Sequence, residues 1–276
     1  MNFKSLSRFR TIIIMFCGIP LLAGLVGLFV SWLVIPVFGL TGQEIIEKVD
    51  RNMTFDSAKS EAKLVIHIRG QVRTKTMMSY SEGDDKSFSE FLSPARDKGV
   101  KYLKIGDNMW MYLPSVEKII KIAGHMLRQS MMGSDFSYED ALESNKLLEK
   151  YTVKLATEET TYIKFRRGTE EVTRSRPCYV LILTAKVKDV TYYKRKIWVD
   201  RQIFVPVKEE LFAKSGKKLK VTVMADVKKY GRRYYPTYVS MKNLLRKDSL
   251  TEMFVTDIDF NAKVPKDTFT QRNLRK

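Results

Sequence analysis

The residue types that usually carry out chemistry are few in this 276-residue chain, and their spacing does not suit catalysis. Two histidines, His67 and His125, lack the CxxC, HxxxH or HExxH neighbours that would build a metal site. There is no GxSxG elbow and no glycine-rich phosphate loop. Asp84 and Asp85 follow Gly83 in a turn signal. Asp257 and Asp259 fall on one strand face, where pairing with lysine or arginine is expected before acid–base work. Cys178 opens the apolar run CYVLIL and is expected to pack as a small hydrophobe, leaving no disulfide partner after Cys17. No catalytic residue, metal or cofactor is therefore expected. What remains is binding chemistry. Met126, Leu127, Met131 and Met132 precede Gly133, and unbranched, polarizable methionine suits a surface that accommodates apolar ligands of varied shape. It equally suits a core. Phe136 and Tyr138 follow in a helix-start signal, with Asp135 or Ser137 as cap and Glu139 and Asp140 in the first turn. These aromatics read as ligand contacts or as packing.

The elements that position this cluster begin with an uncharged run from Thr11 to Leu40, after Lys4, Arg8 and Arg10. It is longer than the roughly 7–15 residues of a signal-peptide core, and no small-x-small cleavage site ends it. Residues 1–40 therefore read as a retained single-pass anchor, or else a cleaved signal, with residues 41–276 exported by the positive-inside rule. The exported part holds all 31 acids and 46 of the 49 Lys and Arg. Such a charge favours an anionic membrane surface, and export argues against nucleic acid.

Residues 43–53 have a helical period, with Ile45, Ile46, Val49 and Met53 on one side. From residue 61 the period is two. Short alternating runs separated by turn residues continue to residue 260, an antiparallel meander rather than parallel βαβ units. Helical candidates are confined to residues 43–55 and 125–148, with a last turn expected over residues 265–269. The fold class is mainly β with a few helices: one strongly curved antiparallel sheet, too large to be covered by so little helix. An uncovered apolar face would be a ligand cavity.

The segments Trp110-Met111-Tyr112-Leu113-Pro114 and Ser130-Met131-Met132-Gly133-Ser134-Asp135-Phe136-Ser137-Tyr138-Glu139-Asp140 resemble the outer-membrane lipoprotein-sorting protein family, a LolA/LolB-like branch of the periplasmic lipoprotein carriers. Trp198-Val199-Asp200, Pro206-Val207-Lys208 and Asp267-Thr268-Phe269 agree, so the resemblance spans roughly residues 43–272. It implies an incomplete β-barrel of about eleven strands whose apolar concave face is lidded by helices and binds acyl chains. By position, Trp110, Tyr112, Met126, Leu127, Met131, Met132, Phe136 and Tyr138 become ligand-binding residues. The partners implied are lipid or lipoprotein acyl chains and an inner-membrane transporter, and the place is the periplasmic face of the bacterial inner membrane, or the periplasm after cleavage. The alternative is a membrane-tethered accessory subunit of an exporter without lipid cargo. A lipid hydrolase is disfavoured for want of a nucleophile–base pair.

Overall fold

The structure, a computed structural model, describes residues 39–142, 147–188 and 190–276. The expected anchor over residues 1–40 lies almost wholly outside the described residues, and among those described no helix is long and apolar enough to cross a membrane. Leu40–Lys276 forms one compact unit.

Helix α1 (Gly42–Met53) starts where Thr41 and Glu44 form a reciprocal cap: Thr41 Oγ1 accepts from the Glu44 amide at 3.2 Å, and Glu44 Oε2 accepts from the Thr41 amide at 2.7 Å. Its apolar stripe, Ile45, Ile46 and Val49, is buried against Leu181, Leu183, Ile197 and Val199. Gly42 is required by close approach. A Cβ there would stand 3.0 Å from the Leu155 amide nitrogen and from Val153 Cγ1.

The chain then runs through β1 (Ser57–Ile68), β2 (Gln71–Glu82), β3 (Lys86–Ser93), β4 (Lys101–Ile105), β5 (Asn108–Leu113) and β6 (Lys118–Ile122). A crossing segment follows: 3-10 turns at Gly124–Arg128 and Met131–Gly133, then the short helices α2 (Tyr138–Leu142) and α3 (Leu147–Lys150). The second half supplies β7 (Tyr151–Arg167), β8 (Glu170–Ala185), β9 (Lys194–Asp200), β10 (Pro206–Phe212), β11 (Lys218–Tyr230), β12 (Arg233–Asn243) and β13 (Ser249–Phe260).

All thirteen strands join one antiparallel sheet, in the order β6-β5-β4-β3-β2-β1-β13-β12-β11-β10-β9-β8-β7. This exceeds the about eleven strands that the resemblance implies, because even the short legs β4, β5 and β6 pair into the same sheet. Two runs expected as separate strands, residues 151–155 and 162–166, are one strand. The polar stretch between them stays paired with β8 through a bulge between Leu155 and Thr157.

One pairing dictates the rest of the architecture. β1 pairs with β13, so the two ends of the sheet's sequence meet in its middle, and β6 and β7 are left as its edges. The edges do not pair, so the barrel is incomplete. The crossing segment links these two edges and must traverse a sheet face to do so. It takes the face already covered by α1.

That face is less apolar than expected. It is apolar under α1 and under the methionines, but between them stand the ion pairs Arg195–Glu209, at 2.6 Å, and Lys220–Asp140, at 2.5 Å. On the opposite face the long β7–β8 hairpin packs Ile163, Phe165, Val172 and Val180 against Trp198, Ala225 and Tyr238. Cys178 is fully buried there, and burial, reinforced by the nearby Asp200 and Glu159 charges, pushes its thiol up to about 12. The last helical turn is at Gln271–Arg275 rather than residues 265–269, because Thr270 supplies the cap by accepting from the Asn273 amide.

Candidate functional site

The crossing segment is held by polar contacts and covers the sheet with apolar side chains. Its central anchor is Asp135, 2% exposed. The Asp135 carboxylate accepts from Ser249 Oγ at 2.6 Å, from Thr251 Oγ1 at 2.8 Å and from the Asn243 amide at 3.3 Å, while its own amide donates to Thr251 Oγ1 at 2.9 Å. A buried carboxylate is tolerated when its lone pairs are met in this way.

Two further contacts flank the anchor. Arg246 Nη1 and Nη2 donate to the Ser134 and Gly133 carbonyls at 2.5 and 3.2 Å. Asp140 accepts from Lys220 Nζ at 2.5 Å, from the Tyr192 hydroxyl at 2.7 Å and from the Ser137 amide at 2.6 Å. Ser137 Oγ accepts from the Asp140 amide in return. Ser137 is thus the cap of α2, and Asp135 is freed for the sheet.

On its apolar side the segment places Met126, Leu127, Met131, Met132 and Tyr138 over Phe91, Tyr102, Met109, Met111 and Ile122. Met132 adopts φ +51°, a left-handed conformation uncommon for a side chain of this size, immediately before Gly133 at φ +78°. The strain is held by the polar clamps on either side.

A pocket of about 250 Å³ lies beneath, bounded on the segment's side by Met131 and Ala141. Its floor is unexpectedly hydroxylic. Register aligns Ser60 with Ser79, Ser79 with Ser89 and Ser81 with Ser87, and all five serines line it. Ser79 Oγ and Ser89 Oγ are 2.8 Å apart. Lys104 and Tyr102 continue these rows on β4. Tyr102 is 5% exposed, and among the described residues its hydroxyl, beside Tyr138, makes no well-formed hydrogen bond. A second pocket, of about 230 Å³, flanks the segment's other side at Leu127, Glu139 and Leu142.

The expected site residues therefore divide. Met126, Leu127, Met131, Met132 and Tyr138 come together, and Phe136 lies half-buried in the same turn, its carbonyl accepting from the Met131 amide at 2.8 Å. Trp110 and Tyr112 do not join them. Alternation that turns Met109 and Met111 towards the segment turns these two to the other face, where Leu274 and Phe269 cover them. Position in the motif gave their shared face but not which face it was. Sequence reasoning also missed Ser249, Thr251, Lys220, Arg246 and the serine rows. Spacing two apart in Ser79-x-Ser81 and Ser87-x-Ser89 was the one available signal for the last of these.

His67 Nε2 lies 2.9 Å from Glu252, whose other oxygen accepts from the Tyr238 hydroxyl at 2.9 Å, and His125 is exposed in the first 3-10 turn.

A family model described as "Uncharacterized protein" matches residues 83–276, most of the chain. The chain belongs to that family. Its fold is LolA-like. A crystal structure of a DUF1329 family protein from Desulfovibrio piger is 24% identical, with TM-score 0.75 over 84% of this chain and 97% of the other. A putative outer membrane lipoprotein-sorting protein domain from Vibrio parahaemolyticus is 22% identical, with TM-score 0.71 over 85% and 98%. A LolA superfamily protein from Nitrosomonas europaea is 23% identical, with TM-score 0.68 over 85% and 100%. No curated protein matches the sequence.

Proposed function

We propose that this protein binds a lipid or lipoprotein acyl chain between the crossing segment and the sheet, acting as a non-catalytic extracytoplasmic carrier or acceptor in lipoprotein sorting or lipid transfer towards the outer membrane. One observation carries the proposal: a methionine-lined segment is fastened across a sheet face by hydrogen bonds and ion pairs, above a pocket with an apolar wall and a hydroxylic floor. Polar fastenings exchange with water on opening, those to charged groups at roughly 1.5–3 kcal/mol each, so the segment works as a lid whose opening the cargo must offset. Each acyl methylene buried behind it adds about 0.8 kcal/mol. The hydroxyls suit the ester or headgroup end of the same molecule.

The pocket of about 250 Å³ is smaller than the roughly 300–1,000 Å³ of ordinary ligand sites. Cargo must therefore displace the lid and join the pockets on its two sides. The small closed volume is also what favours the second reading, an exporter accessory subunit that holds no lipid. The names of the Vibrio and Nitrosomonas proteins support the first, as does the basic charge of the chain, which suits work at an anionic inner-membrane surface. Titration of the full chain with a fluorescent fatty acid tests the proposal. Saturable binding supports it, and no binding at any accessible concentration moves the assignment to the accessory subunit.

A further inference from the structure

An antiparallel sheet in this order gathers alternate hairpin turns at one rim. Here that rim holds the β1–β2, β3–β4, β5–β6, β8–β9, β10–β11 and β12–β13 connections. The Arg69 amide donating to the Asp248 carbonyl at 3.0 Å ties two of them together. Exposed large hydrophobic residues concentrate there. Val72 (61% exposed), Val116, Val187, Leu244 and Leu245 (58%) all stand on or beside these turns, and Leu92 lies at the same end of β3.

The charge of the rim is one-sided. Arg69, Arg73, Arg96, Lys98, Lys118, Lys186, Lys188, Lys214, Lys217 and Lys247 are exposed on these turns, against the exposed carboxylates Glu117 and Asp248 among the described residues. Asp97 is buried in its pair with Lys75. The turns at the other ends of the strands are mixed in charge, with Arg166, Arg167, Arg201, Lys228, Lys229 and Arg232 exposed beside Glu82, Asp85, Asp107, Glu170 and Glu171. Isolated exposed valines and leucines need no explanation, but apolar tips on one rim ringed by cations match the two attractions of an anionic bilayer.

We infer that this rim docks on the surface of an anionic membrane, with Val72, Val116, Val187, Leu244 and Leu245 entering the interface and the surrounding lysines and arginines against lipid phosphates. The inference deepens the proposed lipid-carrier function by giving the carrier an orientation. The β12–β13 turn that carries Leu244 and Leu245 also carries Arg246, which holds the lid through the Gly133 and Ser134 carbonyls. Docking would therefore strain the lid's own fastening and couple contact with the membrane to opening.

The test uses the full chain with Cys17→Ser, leaving buried Cys178 in place, and an environment-sensitive fluorophore at Leu245→Cys or, on the opposite rim, Arg232→Cys. Vesicles of phosphatidylcholine alone are compared with vesicles containing phosphatidylglycerol. The expected result is a blue shift and quenching by bromolipid at position 245 on the anionic vesicles only, with position 232 unchanged. Reversing Lys186, Lys188, Lys214 and Lys247 to Glu should weaken that response at least about tenfold while far-UV circular dichroism stays the same. A probe at 245 that remains in water, responds equally on neutral vesicles, or shifts only when a membrane protein is added overturns the inference. Lipid binding measured in parallel separates the two proposals: cargo binding without docking removes only the docking rim, and docking without cargo removes only the carrier function.

Discussion

Asp135 and Thr251 lie 116 positions apart and exchange two hydrogen bonds, the Asp135 amide donating to Thr251 Oγ1 at 2.9 Å and that same hydroxyl donating to the Asp135 carboxylate at 2.8 Å. The exchange joins the middle of the crossing segment to the central strand β13, two strands from β11, where Lys220 holds Asp140. It converts a connection between sheet edges into a fastened cover.

Asp135→Ala should loosen that cover without dissolving the sheet. The charged hydrogen bonds lost and the hydroxyls left unmet are expected to cost about 3 kcal/mol locally. Hydrogen exchange should accelerate over residues 124–142 and stay slow in β1 and β13. Unchanged protection of the segment would show that the apolar contacts alone fasten it.

Replacing Met131 and Met132 by aspartate should abolish binding of a fluorescent fatty acid and leave the strand signal in circular dichroism intact. Both side chains are only partly buried, so the fold does not depend on them as it does on Phe91 or Leu103. Retained affinity would place the acyl site elsewhere.

Tyr102→Phe separates stability from binding. Among the described residues the buried hydroxyl makes no well-formed hydrogen bond, so removing it should stabilise the empty protein, by about 1 kcal/mol. The same change should lower affinity for a diacylglycerol or phospholipid more than for a plain alkane chain, read by competition against the fluorescent probe. Equal losses for both ligands would deny the hydroxyl any part in recognising the polar end.

Asp50 gives a pH-dependent prediction. Burial on α1, with the Asp84 and Glu47 charges nearby, raises its carboxyl from 3.8 to about 6. A raised acid destabilises the fold where it is ionised, so stability should fall as pH rises from about 4 through 6, most of it lost by pH 7. Because Asp50 is only partly buried, the cost is discounted to about 1 kcal/mol. Asp50→Asn should then raise Tm by about 2–4 °C at pH 7.5 and by little at pH 4. A gain of the same size at both pH values would contradict this origin.

Much of the fold was legible because local periods decide local elements. Ile45, Ile46 and Val49 announce α1, and the turn residues announce nearly every hairpin. What periodicity cannot supply is which face of a strand meets which cover. In β11 the apolar and polar faces alternate as the sequence indicates, yet Lys220 and Thr222, on the polar one, are buried, Lys220 against Asp140 of the crossing segment, and Ala225 packs on the opposite side. The sheet is covered on both faces there, so polarity does not mark the outside. The same ambiguity parts Trp110 and Tyr112 from the methionines, since their face is covered by Leu274 at the far end of the chain. The site was legible as a methionine cluster. Its fastening was not, since Asp135 reads as a helix cap until Thr251 is beside it.

The most direct measurement is native mass spectrometry with lipid extraction on the full chain, purified in mild detergent from bacterial membranes and compared with the Asp135→Ala variant. Equimolar lipid or acylated protein on the wild-type chain, released more readily by the variant, is the result expected of a lidded carrier. A chain that emerges empty and refuses added lipid, with or without its latch, would contradict it.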